Sequence, residues 1–291
     1  MKLVKLDEVA VFLQLNMSRM GDKRGVSGDD IEVDADKSLV KVRKVIFKSA
    51  AFDRIKSLDG EIRKYVRAQC FPYETGMHLV PLRMMDQITQ QLISYSEKRS
   101  DYIENFVNVF EGLKIEFSEK LRKLYNEKDY ETGDIRGQFS MSWQFMMIQV
   151  PPTLEQISSS LYKTEQRKLE SRMQEAFEEA RMVLRETCLS LVTHLRNSLM
   201  PDNYGGVKRI STSTLIHLQV FLNNFNLRNI TNDRELDTLV KELKELTNGV
   251  DAESLRTMDG FRARVRSGLH EVEQELEKAV TVTPSRRIKG L

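Results

Sequence analysis

Residues Met85–Leu124, MDQITQQLISYSEKRSDYIENFVNVFEGLKIEFSEKLRKL, decide the fold class. Met85, Ile88, Leu92, Tyr95, Tyr102, Phe106, Val109, Leu113, Phe117, Leu121 and Leu124 recur every three or four positions. That spacing puts them on one face of an α-helix, with charged residues between them on the others. At about 1.5 Å rise per residue the helix is a rod of roughly 60–70 Å. A second run behaves the same way, through Ile157, Leu161, Leu169, Met173, Ala176, Ala180, Leu184, Leu191, Leu195 and Leu199. Stripes this wide do not stay wet. They predict that the second rod packs beside the first, or that two copies of the chain pair, or both.

Working outward, two segments alternate with period two, the signature of strands. Val9, Val11, Leu13, Leu15 and Met17 share one face of residues 9–18, and Phe139, Met141, Trp143, Phe145 and Met147 share one face of residues 139–149. These two predict one small sheet, pairing strands far apart in sequence and bringing the ends of the first rod back to it. A short edge strand is expected at Asp30–Asp36 and a helix from about Ser38 to Ala68, bent or split at Asp59-Gly60. Cys70–Pro81, with Pro72, Gly76 and Pro81, reads as a connection. Pro151-Pro152 closes the second strand, and Thr153 with Gln156 has capping-box spacing at the start of the second rod. Met200-Pro201-Asp202-Asn203-Tyr204-Gly205-Gly206 is the strongest boundary. Beyond it three shorter helical patterns lead to a basic tail.

The expected architecture is therefore mainly α: a long antiparallel, coiled-coil-like helical hairpin with a small β-sheet over residues 1–200, a C-terminal helical bundle over 201–280, and a tail over 281–291.

Composition narrows the function. The chain has 291 residues, 30% of them charged, with a formal net charge of +2. Near-neutrality supplies no global attraction to nucleic acid or anionic lipid. The two cysteines, Cys70 and Cys188, stand apart without a CxxC, as reduced thiols do in the cytoplasm, the expected compartment. No apolar run is long enough for a membrane span, and no leader is expected. Phosphate-loop, dinucleotide, nucleophile-elbow and zinc-protease motifs are missing. The four histidines, His78, His194, His217 and His270, stand singly, so no metal or cofactor is expected. The acidic series Asp29, Asp30, Glu32, Asp34 and Asp36 lacks the glycine and final glutamate of a calcium loop, and reads as a solvated edge.

Two groups of candidate contact residues emerge. Trp143 and Phe145, with Arg136 before them, form the richest apolar patch outside the rods and are expected to bind a protein partner. Lys208 and Arg209, then Arg262, Arg264 and Arg266, then Arg286, Arg287 and Lys289 offer charge for phosphates. The arginines at 262, 264 and 266 straddle two helix faces, and late-turn cations also answer the helix dipole.

The strand Leu15-Asn16-Met17-Ser18 leading into Gly21-Asp22-Lys23-Arg24, and the run Leu124-Tyr125 through Tyr130, Asp134-Ile135-Arg136-Gly137-Gln138-Phe139, Phe145 and Val150-Pro151, resemble a family of uncharacterised proteins. That family comes from phage, plasmid and defence-like gene clusters. The resemblance spans roughly residues 9–200. It implies association with a MoxR-type AAA+ ATPase and a von Willebrand factor A protein, and assigns no catalytic residue. A non-enzymatic adaptor or structural subunit of such a complex is expected. The alternative is a nucleic-acid-binding subunit of such a complex, using the basic C-terminal region.

Overall fold

Strand β1 (Ala10–Met17) is the centre of the molecule. The computed structural model describes residues 8–27, 32, 34–36, 39–131, 133–201 and 212–281. Two short strands, β2 (Lys23–Gly25) and β3 (Arg43–Val45), form an antiparallel ribbon beside it in sequence. Helix α1 (Ala50–Gln69) leads into the hairpin β4 (Phe71–Glu74) and β5 (Met77–Pro81), then into the long α2 (Met85–Leu121). Strand β6 (Met141–Met146) and the one-turn α3 (Thr153–Ile157) precede the second long helix, α4 (Ser159–Ser198). Helices α5 (Thr212–Arg228), α6 (Arg234–Thr247), α7 (Ala252–Thr257) and α8 (Asp259–Thr281) complete the described chain.

The main sheet has the order β4-β5-β1-β6. β1 and β6 pair antiparallel, Leu13 opposite Phe145, Leu15 opposite Trp143 and Met17 opposite Met141. The two strands visible as period-two segments thus meet as expected. The segment 70–81 is a hairpin rather than a plain connection. Its breakers suit a hairpin: Pro72 lies on the edge strand β4, Gly76 takes φ +78° in the two-residue turn, and Pro81 ends β5.

The rods find different partners from those expected. α2 packs along α1 and α4 packs along α8; the two long helices do not form the main pair. Both pairs are antiparallel. Tyr65 faces Tyr95 and Phe52 faces Phe106 across the first, while Thr193 bonds Glu273 and Arg185 reaches the Ala279 carbonyl across the second. Between α6 and α8, a Cβ on Gly268 would lie 2.8 Å from a Leu246 methyl, so the glycine permits that close crossing.

The sheet lies between the two helix pairs, which explains why the start of β1 is apolar on both faces. Val11 and Leu13 join Leu58, Ile62, Val66, Ile88 and Leu92 of α1 and α2. Ala10 and Phe12, with Phe71 and Leu79, join the second half of α4 and helices α5–α8. β1 is therefore buried on both faces through Leu13, while from Gln14 onward its residues are half-buried, with Asn16 exposed. A third, aromatic cluster (Phe47, Phe52, Phe106, Phe110, Tyr130 and Phe139) closes the far end of α1 and α2.

Helix boundaries differ in instructive places. α1 begins at Ala50, because Val45-Ile46-Phe47 is spent on β3 and the aromatic cluster. It then runs unbroken through Asp59-Gly60, since Asp59 is buried in an ion pair rather than turning to solvent. α4 takes its side-chain cap from Ser158, which accepts from the Leu161 N–H; Thr153 starts the separate short α3. The edge strand expected at Asp30–Asp36 is described only at Glu32 and Asp34–Asp36, which form no strand, and residues 30, 31 and 33 lie outside the described residues.

Candidate docking face

β6 sits at one edge of the sheet, and among the described residues β1 is its only extensive neighbour. The opposite edge strand, β4, packs against α4. An uncovered edge leaves a row of backbone N–H and C=O groups that chains usually guard with lysine, other charges or proline. Here no charged residue occurs between Arg136 and Glu155, and the first proline is Pro151. β6 is therefore an unguarded edge.

The local sequence explains how the edge is held. Ser18 and Ser140 fix its start: their hydroxyls lie 2.7 Å apart, the Ser18 N–H donates to the Ser140 carbonyl and the Ser140 N–H to the Ser18 hydroxyl. Across the strands Gln144 donates its amide to Gln14 at 2.8 Å. Trp143 and Phe145 lie on the face toward α1 and α2 and are half-buried against that core. Beyond the strand the chain stays apolar but loses its cover. Met147 is 58% exposed, Ile157 80% and Leu161 45%. None of residues 159–171 of α4 is buried, so about 20 Å of this helix is covered only in part by the described residues.

Arg136 lies at the approach to β6, but its guanidinium is already engaged. It grips Glu104 of α2 through two bonds of 2.7 Å, which hold the turn before the strand. The basic candidates that the structure describes all lie on α8. Arg262 pairs with Asp259, Arg264 stacks at 5.2 Å on Phe261, and Arg266 lies half-buried further along α8. Lys208, Arg209, Arg286, Arg287 and Lys289 lie outside the described residues.

His78, His194, His217 and His270 fall on four different elements, β5, α4, α5 and α8. Among the described residues no three metal-ligating side chains gather, and no helix is long and apolar enough to cross a membrane. Cys70 and Cys188 are both buried, and burial pushes each thiol up to about 12, with Arg228 opposing this only in part at Cys70. A thiolate is the reactive form, so both thiols are inert in the fold. A maleimide dye is expected to label neither cysteine at neutral pH in the native protein and both after unfolding; rapid native labelling of either would contradict this.

Periodicity did not reveal the two buried ion-pair networks that position these elements. Arg99 of α2 donates to Asp59 at 2.8 Å and to the Ser18 carbonyl, and Arg19 reaches the other Asp59 oxygen. Arg185 of α4 grips Asp233 through bonds of 2.7 and 3.0 Å and also holds Glu235 and the Ala279 carbonyl. One trace was available: Arg99 falls in the gap between Tyr95 and Tyr102 in the first stripe, and Arg185 stands next to Leu184 in the second.

The chain matches no protein-family model, no curated protein and no solved structure.

Proposed function

We propose that the protein is a non-enzymatic adaptor that receives an extended segment of a protein partner along β6. The observation that carries this is the uncharged, uncovered edge followed by exposed Met147, Ile148, Ile157 and Leu161. Main-chain bonding to a free edge supplies affinity, and alternate side chains set specificity. The helix pairs on either side hold the sheet rigid, which reduces the ordering cost of docking. The resemblance to phage and plasmid proteins makes an AAA+ ATPase the first partner to seek.

The test is affinity purification from the native host, with and without nuclease, using wild type and the double variant Met147→Lys/Ile148→Lys. Both substituted residues are exposed, so the fold tolerates the charges. A stoichiometric, nuclease-resistant partner that the double variant fails to recover is the expected result. Equal recovery by the variant would remove β6 from the proposal. Recovery only with intact nucleic acid would shift the function to the basic C-terminal region.

A further inference from the structure

A cleft of about 500 Å³ opens at the end of the sheet opposite the α1 C-terminal half. It exists because β1 outruns β5. β5 begins at Met77, opposite Gln14, so the last residues of β1 have no strand on that side, and the β4–β5 turn and α1 wall the gap.

Arg63 and Arg67 line this cleft from α1. Four residues apart, they occupy the same helix face, with Cβ atoms about 5–6 Å apart. Among the described residues neither forms an ion pair or a hydrogen bond, whereas Arg136 grips Glu104 and Arg181 grips Glu178. His78 lines the same cleft, and among the described residues its buried Nδ1 has no partner. Burial, and then the charge of Arg67, push the His78 pKa below its ordinary value, so the ring is neutral at pH 7 and offers a hydrogen bond rather than a third charge. Leu15, Val66 and Pro72 supply apolar wall.

We infer that this cleft binds a small organic phosphate monoester, its phosphate between Arg63 and Arg67 and its apolar body against Leu15, Val66 and Pro72. Two guanidinium groups on one face match the near-dianionic charge of a phosphate, and each offers a planar fork to its oxygens. A single carboxylate leaves one of the two without a counter-charge. With Glu74, the one carboxylate lining the cleft, the charged lining sums to +1, which favours one anionic group over a polyphosphate or a nucleic-acid strand. The volume lies within the range of small-molecule sites and exceeds what a bare phosphate fills. The cleft shares Ser18 and Ser140 with the anchor of β6, but none of Trp143, Phe145, Met147 or Ile148 lines it.

The experiment is isothermal titration of the full chain with phenyl phosphate, benzoate and inorganic phosphate at fixed ionic strength. Wild type is compared with Arg63→Ala, Arg67→Ala and, as a control on the same helix, Arg54→Ala. Arg54, Arg63 and Arg67 are all exposed, so circular dichroism is expected to show an unchanged fold. Phenyl phosphate is expected to saturate one site. Affinity should fall about tenfold or more in each cleft variant, as loss of one charge-assisted bond predicts, and stay unchanged in Arg54→Ala. Benzoate and inorganic phosphate are both expected to bind more weakly than phenyl phosphate. No saturable binding, equal binding by the cleft variants, or equal affinity for benzoate or inorganic phosphate would each overturn the assignment.

Discussion

Asp59→Ala is expected to destabilise the protein by about 3–5 kcal/mol, read from the shift of its urea unfolding midpoint at neutral pH. Asp59 is 1% exposed and Arg99 2%. Removing the carboxylate strands a guanidinium in the core between α1, α2 and the end of β1, where water cannot reach it. Arg19 loses its partner at the same time. Much of the cost comes from the charge left behind, so it is not shared equally between sites. The double variant Asp59→Leu/Arg99→Met is therefore expected to be more stable than the sum of the single losses by at least about 1 kcal/mol. A loss below about 1 kcal/mol for Asp59→Ala would mean that water enters this site, contrary to its packing.

Arg185→Ala is expected to cost a similar about 3–5 kcal/mol and to act on the other half of the molecule. Arg185 ties α4 to the start of α6 through Asp233 and Glu235, and to the end of α8 through the Ala279 carbonyl. Asp233 is itself the α6 N-cap and accepts from the Leu236 N–H. Faster hydrogen exchange is therefore expected in α6 and late α8, with α1 and α2 unchanged locally.

The same network sets a pH dependence. Burial pushes the Asp233 carboxyl up, but the Arg185 fork, the Leu236 N–H and the Arg185 charge outweigh it and hold the pKa below the ordinary value. A depressed carboxylate adds stability above the unfolded-state pKa of about 4, and that stability is lost as pH falls through the folded-state value. In Arg185→Ala burial remains while the chief opposing causes are gone. The stability gap between wild type and variant should therefore narrow as pH drops below about 4. A gap that stays constant across that range would separate Arg185 from Asp233 titration.

How much of this was legible in the chain can be judged residue by residue. The β1–β6 pairing was visible because Val11, Leu13, Trp143 and Phe145 alternate in two segments with the same period. The interior position of Cys188 followed from its place between Leu184 and Leu191 on the second stripe. The candidate edge was half legible: Trp143 and Phe145 stood out, yet only the strand order shows that β6 lies at the rim of the sheet. Arg63, Arg67 and His78 could not be grouped from sequence, because the cleft arises where β5 stops short of β1.

By itself the sequence determined which faces are apolar, where the rods begin and end to within a few residues, and which distant strands suit one sheet. Those are local properties, set by side-chain spacing against the helix and strand periods. Only the tertiary structure decided which apolar face covers which. α2 chose α1 and α4 chose α8, because burial of apolar area rewards any complementary stripe and does not name its partner. The pairs that formed also satisfy buried charge: Arg99 of α2 meets Asp59 of α1, and Arg196 of α4 meets Glu273 of α8. A buried charge tolerates only a pairing that supplies its counter-charge, and that constraint exists only once the chain has folded.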